Sequence, residues 1–597
     1  MRILLITSSY NGLCQRTHIE LVSRGYEVSI TLAISAEVME HSVELFHPDL
    51  IICPFLKERV PETIWQKHLC IIIHPGIKGD RGPSSLDWAI TDNLTEWGVT
   101  ALEAAEEMDA GDIWATATFK MRKAAKASIY RHEVTGTAIK VILEMLEKFI
   151  SKSFTPEKLD VSKPDVKGTL RPLMKQPERK INWETDTVDI IMRKINAADS
   201  FPGVLDTIGG EEFYLFGVHK EECLRGWKPG EIIAKRHGAI CRAAVDGAIW
   251  ISHLKRKKID QQSFLTRLTS LHKPDYKLPA TLILGEAKLK DVPESPIDLL
   301  YMDKAETFKE IWYEENNQVG YLYFNFHNGA MSTEQCQRLR LAYSEAKKRA
   351  TKVIVLMGGT DFWSNGVHLN MIEVAKKPAD ESWRNINAID DAVLEIINTP
   401  NQLVISAVYG SAGAGGVIMT LAADKVFARA GVMMNPHYKT MGLYGSEYWT
   451  YLLPKRVGIG HAIELTDIPL PIGMQKAKAI GLIDDTLPEE WDDYLAELRQ
   501  RAEALANSAD FAQQLQAKNE LRKKDEAIKP LSAYRAAELK RMKMNFYPSF
   551  YGGDHTYHEA RYNFVHKIRP KETAAYLAKH LQLNTANFQE LRKPLNY

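Results

Sequence analysis

The stretch "CIIIHPGIKGDRGPSSLDWAI", Cys70 to Ile90, drives an apolar run into a histidine and follows it with a Pro/Gly-rich turn. An apolar run bounded by turn residues reads as a buried parallel strand. His74 then stands at the strand's carboxyl end, where open α/β sheets set their ligand crevices. Taken alone, the stretch admits two readings. His74 faces a ligand, or it is a core-edge histidine hydrogen-bonded to backbone.

Upstream, "RILLIT" reads as a strand, "CQRTHIELVSRG" (Cys14 to Gly25) as a helix, and "EVSITLA" and "PDLIICPF" as further strands. Downstream, "GVTALEAAEEMDAGDIWATATF" reads as a strand pair around a tight loop. "ASIYRHEVTGTAIKVILEMLEKFI" has helical spacing. Alternating strands and helices imply a mostly parallel sheet with helices on its faces. A polar, Pro/Lys-rich linker follows, "SFTPEKLDVSKPDVKGTLRPLMKQPERK". Beyond it a helix ("INWETDTVDIIMRKINAADSFPGV") and short strands from "EEFYLFGV" to "AAVDGAIWISHLK" suggest a small barrel. A charged, Pro-containing stretch near 255–300 marks the next boundary. From "VGYLYFNFHNGAMS" a second α/β unit begins, in which "TKVIVLMGG" and "NQLVISAVYGSAGAGGVIMTLAAD" put buried strands before Gly-rich turns. From about residue 490 the chain is amphipathic helical sequence rich in Ala, Leu, Lys and Glu. The boundaries expected are therefore 1–165, 166–285, 286–490 and 491–597.

A chain of 597 residues allows roughly three to four domains of about 150 residues. With 45% apolar and 25% charged residues it has the composition of a soluble globular protein. The formal net charge is +0, so no global field attracts nucleic acid or an anionic membrane. The 6 cysteines (14, 53, 70, 223, 241 and 336) form no CxxC pair and no metal-ligand spacing. A reducing cytoplasm is expected, with no metal. "MRILLIT" reads as a strand rather than a signal peptide, and no apolar run approaches the ~20 residues of a membrane span.

A histidine at a strand end supplies an acid or base near neutral pH, and an aspartate can set its tautomer. "MDAGD" (Met108 to Asp112) offers Asp109 on the tight loop. "HPGIKGDRGP…GVTALEAAEEMDAGDIW" resembles the formyl-tetrahydrofolate-using transferases, the methionyl-tRNA and glycinamide-ribonucleotide formyltransferases among them. That family carries Asn-x-His before a Pro/Gly-rich loop and an "[LM]-D-x-G" aspartate about thirty-five residues later. "INWETD…INAADSFPG" resembles its entry into a carboxyl-terminal barrel, so the likeness covers about residues 1–285. It implies that His74 stabilises the oxyanion formed at the formyl carbonyl and that Asp109 manages the proton bound for the folate nitrogen. It also implies that the "AEEMD" loop, with Glu106 and Met108, holds the pterin. One departure stands out: the family's asparagine falls at Ile72, which has no side-chain donor. Losing one oxyanion donor typically costs ~10²–10³ in rate. Backbone or cofactor replaces it, or the nucleophile is better than an amine, as a thiolate would be.

"VLMGGTDFWSNGVHLNMI" and "SAVYGSAGAGGVIMTLAADKVFARAG", with "QKAKAIGLIDDTL" after them, resemble the enoyl-CoA hydratase/isomerase (crotonase) family over about residues 305–490. The likeness implies two backbone amides around a thioester oxygen, those of Val367 and Gly415. Glycine there lets backbone approach a ligand without Cβ interference. The hydratase glutamates do not carry over: their positions hold Ile418 and His437, which makes water addition improbable. "NPHYKTMGLYGSEYW" offers Tyr438 and Glu447 instead, a donor and a carboxylate that read equally as a core tyrosine and a surface glutamate.

The whole chain resembles the HypX (HoxX) family of hydrogenase-maturation factors, in "HPGIKGDRGPSSLDWAI", "NGAMS" and "YGSEYWTYLLP". The resemblance implies a Rossmann-like formyltransferase domain, a small formyltransferase C-terminal β-barrel, and a crotonase-like α/β domain with a helical tail. It implies carbon monoxide synthesis for nickel–iron hydrogenase, with formyl-tetrahydrofolate as donor and coenzyme A as bound carrier. Expected grips for coenzyme A are Gln15, Arg131, Ser200, Asn328 and Arg561, each equally readable as an ion-pair or capping residue. The tail is expected to fold over the cavity and exclude water. Hydrogenase-assembly proteins would receive the gas. Two rivals stay open: a transferase formylating a small-molecule amine, and a crotonase half serving only as an acyl-CoA sensor.

Overall fold

The computed structural model describes residues 1–226, 228–258 and 274–582. The chain divides into two compact units. The first holds 1–182, 189–206 and the residues from 569 on; the second holds 183–188 and 207–568.

The first unit is built on six strands: β1 (Arg2–Thr7), β2 (Glu27–Leu32), β3 (Leu50–Cys53), β4 (Cys70–His74), β5 (Glu96–Glu103) and β6 (Ile113–Lys120). They lie in the order β2-β1-β3-β4-β5-β6. The first four are mutually parallel, and β5 and β6 run antiparallel as a hairpin. The apolar runs are buried as their composition requires: Leu4, Ile6, Ile51, Cys53 and Cys70 share one core with Met39, Val43 and Phe46. The last three recur at helical spacing on Ala36–Phe46, whose N-cap Ser35 accepts from the Val38 amide. Each such fully buried side chain contributes ~1.5–3 kcal/mol. Residues 569–582 also belong to this unit. Leu577 O accepts from Ile30 N at 3.1 Å, Thr573 Oγ1 accepts from Leu32 N at 2.9 Å, and Ser29 Oγ meets His580 Nδ1 at 2.7 Å. The chain thereby covers β2, an edge strand whose unpaired groups would otherwise invite another chain.

In the second unit a small antiparallel sheet runs Glu211–Glu221, Ala248–Arg256, Ala239–Ala243 and Ile232–Arg236, with Leu278–Pro279 beside Ala248–Arg256. A larger sheet follows: Ile311–Asn316, Val319–Phe324, Val353–Gly358, Leu403–Val408, Lys425–Arg429 and Asp485–Leu487, parallel after its first pair. Three times the chain leaves this sheet and adds a short strand to a second layer: Phe362–Ser364, Ser411–Gly413 and Met433–Asn435. The period-2 alternation sends Ile354 and Leu356 to one face and Val353 and Val355 to the other. Tyr494, Leu498, Ala502 and Ala506 of helix Trp491–Ala506 cover the second face. Leu531, Met542, Phe546 and Tyr557, from the helical tail, join the first. The tail helices therefore complete the core on one side of the sheet.

Candidate functional site

The sequence-predicted residues fall in two sets, one in each unit. His74 is the last residue of β4, at its carboxyl end, and is buried. The turn after it is pinned from three sides. Ser85 Oγ and Trp97 Nε1 donate to Pro75 O at 2.7 and 2.9 Å, and Thr100 Oγ1 donates to Gly76 O at 2.9 Å. A Cβ on Gly76 would stand 2.3 Å from Asp80 Oδ2 and 2.4 Å from His74 Nε2, so only glycine lets these two meet.

They meet at 2.8 Å, Nε2 to Oδ2. On the other side Asp109 Oδ1 lies 3.6 Å from Nδ1, beyond hydrogen-bond length. Asp109 sits in the left-handed region, at φ +57°, and accepts from Gly82 N at 3.1 Å, which ties its loop to the turn. Burial pulls the imidazole toward neutrality, but the Asp80 hydrogen bond and the charges of Asp109 and Asp80 outweigh it and raise its pKa. The ring is thus charged more readily than an ordinary histidine, which suits it to an oxygen that gains negative charge. Asp80 was invisible to sequence reasoning: "KGD" within a turn has no periodicity, and only the fold folds it back on His74. Glu106 and Met108 lie on the exposed β5–β6 loop, with the apolar Met108 side chain 45% exposed beside Asp109. Ile72 turns its side chain toward the apolar core of the unit and supplies no donor.

In the same unit Gln15 lies on helix Gly12–Ser23 and donates through Nε2 to Tyr10 O at 2.9 Å. Arg131 falls in the π-helical turn Tyr130–Val134, and Ser200 just past helix Val188–Ala198.

In the second unit the two Gly-rich turns converge. A Cβ on Gly366 would lie 3.5 Å from Gly415 N. Among the described residues neither the Val367 nor the Gly415 amide donates to another group, which leaves both for a carbonyl oxygen. Asn328, itself at φ +56°, borders the same turn: its carbonyl accepts from Asn365 Nδ2 at 2.8 Å. Glu447 is buried, not on the surface, and its carboxyl lies directly against Gly415; a Cβ there would sit 2.1 Å from Oε1. Tyr438 Oη donates to Glu447 Oε2 at 3.1 Å, and Ser446 N donates to the same oxygen at 3.0 Å. His437 is held by Thr466 O and Thr440 N, and Ile418 is fully buried, so neither offers a carboxylate. Arg561 is buried and ion-paired with Glu373 at 2.7 Å.

Two further acids, Asp390 and Glu538, are fully buried beside Glu447. Burial, then mutual repulsion with Asp390, pushes the Glu447 pKa up to about 8. Burial likewise takes Asp390 to about 7 and Glu538 to about 8. Burial first and then the Glu447 charge push the Tyr438 hydroxyl well above its usual range. The pair Tyr438–Glu447 thus enters neutral pH holding both protons. The sign for stability follows. At a pH below about 4 the folded and unfolded chains both hold the three carboxyl protons. Above that the unfolded chain loses them first, while the folded chain keeps the Asp390 proton to about pH 7 and those of Glu447 and Glu538 to about pH 8, so rising pH costs stability. The buried His253 and His368 titrate below their usual range and drop out above about pH 6.5, whereas His74, its pKa raised, adds to the loss in the same direction. Urea midpoints of the wild type are expected to fall between about pH 6.5 and 8 by the equivalent of about 4 kcal/mol, and those of Glu447→Gln by measurably less.

Among the described residues no helix is long and apolar enough to cross a membrane, and no group of three His, Cys, Asp or Glu is placed to hold a metal ion. The described cysteines are free; all but Cys223 are buried.

Comparison with known proteins agrees with both halves. Residues 173–269 match the formyl transferase C-terminal domain family and residues 314–570 the enoyl-CoA hydratase/isomerase family. A methionyl-tRNA formyltransferase of Bacillus licheniformis is 21% identical over 41% of this chain and 78% of its own. The crystal structure of HypX from Aquifex aeolicus in complex with tetrahydrofolic acid superimposes with a TM-score of 0.92, at 45% identity, covering 98% of this chain and 100% of that one. The hydrogenase maturation factor HoxX of Bradyrhizobium diazoefficiens is 45% identical over 97% of both chains. At that identity over nearly the full length of both, this chain belongs to the HypX/HoxX family of hydrogenase maturation factors.

Proposed function

We propose that this protein makes carbon monoxide for the maturation of nickel–iron hydrogenase in two steps. The formyl group of formyl-tetrahydrofolate passes to the thiol of coenzyme A, and the resulting formyl-CoA is decarbonylated to carbon monoxide and coenzyme A. Coenzyme A, when bound, supplies the thiol nucleophile and returns it at the end.

In the first step His74 carries positive charge toward the formyl oxygen through its open Nδ1 side, while Asp80 holds Nε2. Asp109, at the edge of the same gap, passes the proton needed by the departing folate nitrogen. The exposed loop with Glu106 and Met108 holds the pterin. The crystallised Aquifex relative with tetrahydrofolic acid supports folate as the donor. In the second step the amides of Val367 and Gly415 polarise the thioester oxygen, and the Tyr438–Glu447 pair moves the formyl proton to sulfur. The atoms balance: one C–H and one C–S bond break, one S–H bond forms, and nothing is oxidised. Gln15, Arg131, Ser200, Asn328 and Arg561 would grip coenzyme A. Arginine suits its phosphates through paired hydrogen bonds. The gas would pass to hydrogenase-assembly proteins in the cytoplasm.

One observation carries this reading. An acid and a phenol, buried and hydrogen-bonded to each other, lie against Gly415 where hydratases keep their water-handling carboxylates elsewhere. The test is to incubate purified protein with isotopically labelled formyl-tetrahydrofolate and coenzyme A and to trap the gas with deoxyhaemoglobin. Labelled carbon monoxide at the rate of folate release is expected. A formylated amine without gas would replace this reading by that of an amine formyltransferase.

A further inference from the structure

Glu447 and Tyr448 are consecutive non-glycine residues in the left-handed region, each at φ +62°. Such a pair is costly and persists only where its surroundings over-determine it. Two carboxylates surround it. Asp390, on helix Pro378–Ile397, accepts from Glu447 N at 2.8 Å and from Ser446 Oγ at 3.0 and 2.9 Å. Glu538, on helix Leu531–Phe546, accepts from Tyr448 N at 3.0 Å, from Thr450 N at 2.9 Å and from Thr450 Oγ1. Every donor comes from the single turn 446–450. An amide side chain has one acceptor oxygen, whereas a carboxyl group, ionised or protonated, keeps two oxygens with lone pairs. Asparagine or glutamine could not take the same set.

We propose that Asp390 and Glu538 are positioning residues of this site: two buried carboxylates, borne by helices far apart in sequence, lock the left-handed Glu447–Tyr448 pair and so fix the Glu447 carboxyl against Gly415. The proposal deepens the reading of the pocket given above and rests on it. With Oε2 occupied by Tyr438 Oη and Ser446 N, the lock leaves Oε1 as the oxygen that faces Gly415. The groups around Glu447 are Asp390, Glu538, Tyr438 and the Cys336 thiol, with Arg535 Nε 3.6 Å behind Asp390. Neither positioning acid reaches the Gly415 turn through any described contact. Their loss therefore moves turnover rather than binding.

The experiment supplies formyl-CoA directly to the full-length chain. Asp390→Asn and Glu538→Gln are each expected to lower kcat for carbon monoxide release about 10- to 100-fold, with KM within two-fold and folate-dependent formyl transfer unchanged. Isotope-edited infrared spectroscopy reads the Glu447 carboxyl, assigned by its loss in Glu447→Gln, without any need for turnover. Its stretching frequency is expected to shift in both Asp390→Asn and Glu538→Gln, because a released turn alters the hydrogen bonds that Tyr438 Oη and Ser446 N make to it. Unchanged kcat, KM rising in step with the loss, or equal loss of both activities would overturn the proposal. If the wild type releases no gas from formyl-CoA, the functional reading fails, and the infrared carboxyl band decides: a shifted band in both variants upholds the lock and an unchanged band removes it. Should either variant fail to fold, Ser446→Ala and Thr450→Val each remove a single donor. They are expected to lower kcat about 3- to 10-fold, and no effect from either would count against the lock.

Discussion

His74→Gln is expected to lower folate-dependent formyl transfer about 10²–10⁴-fold while leaving gas release from supplied formyl-CoA unchanged. Glutamine keeps a donor toward Asp80 and much of the volume, so the Pro75–Gly76 turn stays in place. What it cannot do is carry positive charge. The proposed mechanism gives His74, at the end of β4, the charge that follows the formyl oxygen as it becomes anionic, and Asp80 and Asp109 hold its pKa up. Following tetrahydrofolate release by absorbance measures the loss. A residual rate above a tenth of wild type would mean that the oxyanion is held by backbone alone. The pH dependence carries the same sign. Wild-type transfer should decline as pH rises through the raised His74 pKa, and Asp80→Asn, by removing one support of the charged ring, should move that decline to lower pH.

Glu447→Gln is expected to lower gas release about 10²–10³-fold and to let formyl-CoA accumulate, because formyl transfer continues. The amide is nearly the same size and still accepts from Tyr438 and Ser446. The pocket against Gly415 is kept while the transferable proton is lost. Tyr438→Phe removes one hydrogen bond to the acid and should cost less. Separating acyl-CoA species by chromatography after a single turnover distinguishes the outcomes: accumulated formyl-CoA supports the division of labour, whereas equal loss of both steps would place Glu447 in the fold rather than the chemistry.

The two likenesses read from motifs, to formyltransferases and to crotonases, agree with the families matched, and the chain-long resemblance agrees with full-length relatives. Strands were legible because they are apolar and short: "RILLIT", "LIIC" and "CIIIH" are all buried strands of one sheet. His74 and Asp109 could be paired because each stands at a turn that punctuates a strand. Tyr438 was an even choice between core and chemistry; it is buried and hydrogen-bonded to Glu447. Glu447 was an even choice between surface and site, and burial decides against the surface. The basic run His253 to Lys258, which looks solvated by composition, begins inside: His253 and Leu254 are buried in a strand and stack or pack there, while Lys257 and Lys258 reach water.

The missing hydratase glutamates come from the family resemblance. Order along the chain, strand identity and the turn residues come from local composition and spacing, because hydrophobic period and backbone freedom are properties of neighbours in sequence. The acids that tune the two sites do not. Asp80 gains its meaning from a turn that folds it onto His74, and Asp390 and Glu538 gain theirs from helices that bring carboxylates to one loop. A lone Asp or Glu in a helix looks the same on paper whether it faces water or the core. Only packing removes the water, and the removal of water is what gives Asp390 and Glu538 their raised proton affinity.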